Sequence, residues 1–257
     1  MKHLRGILIL IVLLLGIAGA AIFTANASAP VGGNALTPRI YLPLVARGES
    51  APAPGTWITV MEEGFEAAPG SLWQFRDDNS ADPKEYQWGR RACQPFTGSY
   101  SAWAVGGGAD GTLLGCESTY PDNVATTMIY GPFSLAAAKM AQMRFALRYD
   151  QISPNDDFCW LASNAPQLSD ATVAGGLCLN AQPSGWTTLD LNLGDLELSD
   201  PAVSVLGQPQ VWVTFRFTSD ATGHASPGPF VDDVSIHECR DLLCPPQPPS
   251  TAASRGR

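Results

Sequence analysis

The chain has 257 residues, 45% of them hydrophobic and 15% charged, with 24 acidic against 15 basic side chains and a net charge of −9. That balance gives no electrostatic footprint for nucleic acid. Three histidines and no two cysteines at CxxC spacing argue against a zinc centre.

The first 27 residues read as a leader. Lys2 and Arg5 precede an apolar run from Gly6 to Phe23, and Ala25-Asn26-Ala27 is a small-x-small site. This is the layout of a secretory signal peptide. The run is also long enough for an uncleaved membrane anchor, which stays open as the alternative and as the one route to a membrane. Cleavage would remove Lys2 and Arg5 and take the net charge from −9 to −11. Residues 28–56, rich in Pro, Gly, Ala and Ser, are expected to form an extended tether. Within them Ile40 to Arg47 form a short apolar patch, read as a sticky linker segment or an added edge strand. A Pro-rich tail, residues 240–257, is expected to be disordered. One folded domain remains, residues 57–239, large enough for a single core.

In that domain period-2 alternation recurs in short runs. Residues 126–135, 142–150, 157–163, 185–193 and 210–220 all read as strands. In the last of these Val211, Val213, Phe215 and Phe217 share one face and Trp212, Thr214 and Arg216 the other. Only 134–143 reads as able to hold a helical turn. The Gly-rich stretch 105–115 lacks the ending of a phosphate loop and reads as a flexible loop with no helix after it. The pattern as a whole predicts an all-β chain, an antiparallel β-sandwich of jelly-roll type.

Six cysteines in an exported chain point to disulfides. Fifteen pairings are possible. Neighbouring partners are favoured: Cys93 with Cys116, Cys159 with Cys178, Cys239 with Cys244. No metallopeptidase or nucleophile-elbow motif is present. His224 lies in a Gly/Pro-rich loop and His237 near the end of the last strand, where it reads as a cap. A through-space carboxylate pair would leave a secreted hydrolase as a minor alternative.

The segment 228–236, GPFVDDVSI, raises the sharpest question. Phe230, Val231, Val234 and Ile236 suit a strand, whereas Asp232 and Asp233 do not. Alternation places Asp232 with Phe230, Val234 and Ile236. Glu66 ends EEGFE (62–66) at the first strand, and first and last strands of a jelly roll commonly lie close. Together Glu66, Asp232 and Asp233 would make an oxygen-rich site suited to calcium. The alternative is that the aspartates accept from loop N–H groups, or pair with an arginine.

From GFEAAPGSLWQ through YQWGRRACQPFTGSYSAW, YPDNVATTMIYGPFSL and LGQPQVWVTFRFTSD to GPFVDDVSI, the chain resembles the MAM-like jelly-roll module that accompanies immune inhibitor A-type secreted metallopeptidases. More distantly it is similar to jelly-roll carbohydrate-binding modules. The resemblance implies a non-catalytic β-sandwich with a structural calcium joining Glu66 to Asp232 or Asp233. Phe230 departs from it, standing where the module usually has Tyr, and no peptidase segment is seen in this sequence. The reading is therefore of an exported binding or adhesion module for an extracellular glycan or protein surface. Indoles are mostly buried, so few of the domain's tryptophans should meet a ligand. Trp212 is the best candidate, because Val211 and Val213 take the opposite face, with Arg90 and Arg91 as further polar contacts.

Overall fold

The computed structural model describes residues 55–79, 83–149, 153, 155–179, 185–196, 203–222 and 226–246. The leader, the Ile40–Arg47 patch, His224 and residues 247–257 lie outside the described residues. The chain divides into two units, Met1–Glu49 and Ser50–Arg257, and every described residue belongs to the second.

The strands are β1 (Ile58–Glu63), β2 (Trp73–Asp77), β3 (Gln87–Arg91), β4 (Ser101–Gly107), β5 (Ala125–Phe133), β6 (Met140–Tyr149), β7 (Asp157–Ser163), β8 (Ala174–Leu179), β9 (Trp186–Asn192), β10 (Val211–Thr218) and β11 (Pro229–Cys239). They form two antiparallel sheets. One runs β3-β4-β11-β6-β9, with β1 also on β11; the other runs β2-β5-β10-β7-β8. The first and last strands of the domain are thus hydrogen-bonded neighbours. This is the β-sandwich of jelly-roll type that the alternation predicts.

Alternating side chains fill the space between the sheets. Met143, Phe145, Leu147 and Tyr149 of β6 meet Val213, Phe215 and Phe217 of β10 and Phe158 and Trp160 of β7. Phe145 reaches across to Phe215, with ring centres 5.0 Å apart, and to Trp160 at 5.5 Å. Such edge-to-face pairs add to the burial of apolar area that holds the layers together. Disulfides join Cys93 to Cys116, Cys159 to Cys178 and Cys239 to Cys244. The segment before β1 is tied to the segment after β11 around the last bridge: Gly55 N–H donates to Leu243 O (2.7 Å) and Trp57 Nε1 to Pro245 O (2.8 Å).

Two local readings change. Residues 134–139 form no helix, and Met140 already begins β6. Part of the Gly-rich stretch belongs to β4 and is followed by a one-turn helix, α1 (Gly108–Gly111). Glycine serves strand packing here, since a Cβ on Gly107 would sit 2.5 Å from Trp88 O of the adjacent strand.

Candidate functional site

The two aspartates mark a break in β11. On one edge, Phe230 and Val231 pair with β4, while Val234 to Glu238 pair with β1. On the other edge β6 runs alongside throughout, with a register shift between Asp232 and Ser235. The strand changes neighbour and bulges at the same place. Asp233 takes the left-handed backbone conformation, φ 46°, which Asp tolerates better than most residues.

The bulge corrects the expected facing. Asp232 pairs with Ala146 and Phe230 with Arg148, on the outer face, whereas Val231 and Ile236 pair with Leu147 and Met143 of the core. Asp232 therefore shares a face with Phe230 but not with Val234 or Ile236. An extra residue reverses the alternation beyond it.

Asp232 is nevertheless fully buried, at 0% exposure, because the loop 94–100 crosses over it. Its Oδ2 accepts from Phe96 N–H (2.8 Å) and Thr97 N–H (3.2 Å), and its Oδ1 from Asp233 N–H (2.8 Å). Thr97 Oγ1 donates to Asp233 Oδ1 (2.9 Å). Glu66 lies past the end of β1 and reaches the far side of the same loop. Its Oε1 accepts from Ser99 N–H (2.9 Å) and Tyr100 N–H (3.0 Å). The structure thus gathers all three carboxylates around one loop, with N–H donors on Asp232 and Glu66.

Gly98 makes this grip possible. It has φ 64°, and a Cβ there would fall 2.3 Å from Glu66 Oε1. Cys93 staples the start of the loop, and Ser101 Oγ bonds Cys93 O (2.6 Å). Phe96 packs on Trp186 at 5.5 Å, both rings half-buried.

Arg90 and Arg91 have structural partners. Arg90 donates from Nε to Phe65 O (2.5 Å) and from Nη2 to Glu66 O (2.8 Å), and its guanidinium covers the Tyr100 ring. Arg91 donates to Gly106 O, Gly111 O and Leu114 O. Neither is brought to Trp212, which lies on the other sheet. Trp212 does face away from Val211 and Val213, but at 7% exposure its ring offers little surface. His237 lies within β11, paired with Gln142 and Thr59 rather than capping the strand. Its Nδ1 is buried without a partner, and burial holds its pKa below the usual value.

Burial pushes the Asp232 carboxyl up to about 7, against the opposing pull of its N–H donors. Burial also raises Asp233, and the nearby charge of Glu66 raises it further. Asp233 Oδ2 is buried and accepts no hydrogen bond. Among the described residues no group of three or more His, Cys, Asp and Glu is arranged to hold a metal by side chains alone. The donors present are all oxygen, two of the acids repel each other, and one oxygen is orphaned. That fits a hard cation completed by carbonyl or water oxygens.

No family model matches the chain, and no curated protein matches it. Among solved structures it is similar to the K1 cleaved adhesin domain of Lys-gingipain from Porphyromonas gingivalis W83 (15% identity, TM-score 0.45, covering 71% of this chain and 98% of that one). It is also similar to the CBM22-1 xylan-binding domain of Paenibacillus barcinonensis Xyn10C (12%, 0.40, 75% and 99%). A third is the family 11 carbohydrate-binding module of Clostridium thermocellum Lic26A-Cel5E (9%, 0.43, 71% and 94%).

Proposed function

We propose that the chain is an exported, non-catalytic binding or adhesion module of MAM-like type, with a structural calcium ion at the carboxylate rim. It engages an extracellular glycan or protein surface. The observation that carries the calcium is the buried, unpartnered Oδ2 of Asp233 beside Glu66. Asp233 and Glu66 would hold the ion, with Asp232 behind them. The ion supplies positive charge that relieves the repulsion and the desolvation of the acids. It would fix the loop that presents Phe96, and with it Trp186, as a half-buried aromatic surface for ligand. The carboxylates already accept from backbone N–H groups of a stapled loop, a structural use rather than an acid–base one. Three disulfides with no free cysteine suit an oxidising compartment.

The test is a thermal melt of the oxidised protein in calcium and in EDTA. A ligand bound only to the folded state raises the melting temperature. Calcium should raise it, and Asp233→Asn should abolish the shift; no response to EDTA in the wild type overturns the calcium site. The binding role is tested by pull-down on cell-wall polymers and a glycan array. Trp186→Ala should weaken whatever is retained, and an absence of any ligand overturns the role.

A further inference from the structure

The outer face of the five-stranded sheet carries a cationic row at odds with the rest of the chain. Arg76 of β2, Thr127 of β5, Arg216 of β10, Cys159 of β7 and Cys178 of β8 are register partners. They alternate with Met128, Phe215 and Trp160 of the core, so they point outward. Arg76 and Arg216 stand one strand to either side of Thr127, their backbones roughly 10 Å apart.

Among the described residues neither guanidinium has a carboxylate partner. Arg76 Nη2 donates to Gln74 Oε1 (3.0 Å). Arg216 meets only the disulfide, Nη2 to Cys159 Sγ at 3.7 Å, and its Nε is buried without an acceptor. A guanidinium held partly out of water with no counter-charge is costly. The chain has 24 acidic side chains, and none of the described ones pairs with either guanidinium. The nearby acids lie along one side of the row, Asp78 against its middle at Thr127 and Asp157 in the next outward-facing row. Asp78 is taken by the Thr127 hydroxyl, and Asp157 pairs with Thr218 beyond Cys159.

We propose that this face is a separate ligand site for a carboxylated glycan, a uronic-acid polymer. The proposal rests on the reading of the chain as an extracellular binding module. Arginine offers a planar fork of N–H donors that matches a carboxylate with two parallel hydrogen bonds. An arriving carboxylate, meeting the Nη edge of the guanidinium end-on, would supply the counter-charge that Arg216 lacks. Arg76 takes the charge of another sugar unit, Gln74 offers its amide to hydroxyls, and Trp212, on the same face of β10, borders the site. The net charge of −9 opposes a polyanion at long range. Recognition therefore depends on these short-range pairs.

The experiment is calorimetric titration of the full chain with a galacturonate hexamer and, separately, with its methyl ester. The acid should bind and the ester should bind at least roughly tenfold more weakly, because esterification removes the bidentate acceptor. Arg216→Ala should lose roughly tenfold or more. Arg216→Lys should not restore it, since an ammonium keeps the charge without the fork. Unchanged thermal melts of both variants exclude misfolding. Equal binding of acid and ester, or an Arg216→Lys variant as tight as wild type, overturns the proposal. Failure of the hexamer to bind while a neutral glycan is retained through Trp186 overturns this site alone. Absence of binding to any glycan removes the glycan reading with it.

Discussion

β10 and β11 each run through the middle of a sheet, yet they are built on different principles. β10 is regular. It pairs along its length with β5 and β7, and Val211, Val213, Phe215 and Phe217 all enter the core. Its stability comes from apolar area and ring contacts. β11 is interrupted. It hands its edge from β4 to β1 at Asp232–Asp233 and turns a carboxylate outward under a loop. There the backbone donors of the loop take the place of a ladder, so a polar residue is the one that fits. The difference teaches that a charged pair in a central strand can mark a change of partner rather than an error in the pattern.

The largest effect should come from β10. Phe215→Ala removes a fully buried ring that packs on Phe145, Trp88 and Phe158. It should cost about 3–5 kcal/mol in denaturant unfolding. Asp232→Ala should come next, at about 3 kcal/mol, because it orphans the N–H groups of Phe96, Thr97 and Asp233. A loss below about 0.5 kcal/mol there would show that water replaces the carboxylate and that the loop needs no grip.

Calcium at a hundredfold excess over its dissociation constant should add about 2.7 kcal/mol. The gain should survive Phe215→Ala and vanish in Asp233→Asn, which would separate the two strands energetically. Gly98→Ala should lose about 1–3 kcal/mol, from the left-handed backbone and the clash with Glu66. Arg90→Ala should lose about 1 kcal/mol, through the two carbonyls it bonds.

Acidity sharpens the same comparison. Asp232 is raised from an ordinary value near 3.8 to about 7 in the folded protein. The folded state then binds more protons than the unfolded state between about 4 and 7. Stability in EDTA should therefore be greatest below that window and fall as pH rises through it. Asp232→Asn should flatten this dependence, whereas Phe215→Ala should leave it intact. With calcium the slope should reverse, because the ion requires ionised carboxylates. Melts across that range, with and without calcium, check each statement.

Much of the fold was legible. Period-2 runs located β5, β6, β7, β9 and β10, because each buries one face against the facing sheet. The approach of Glu66 to the aspartates was legible from the closeness of the first and last strands. The alternative in which loop N–H groups meet an aspartate describes Asp232 in the structure. The bulge was not legible, since nothing in FVDDVS says which residue goes unpaired, and so the facing of Val234 and Ile236 relative to Asp232 was misread. Arg90 and Arg91 looked like free polar contacts because their acceptors are carbonyls from distant loops. Arg216 drew no notice beyond its alternation, and its unpaired Nε exists only once β7 brings a disulfide beside it.

Composition and alternation by themselves determined an acidic, disulfide-bearing, two-layer β domain, because apolar periodicity dictates which faces must leave water. Tertiary structure alone decided what the charged residues do. Asp232 became a buried acceptor and Arg216 a guanidinium without a counter-charge through neighbours far away in sequence. The free energy of a charge depends on its immediate dielectric and partners, and those are set only when strands and loops close around it.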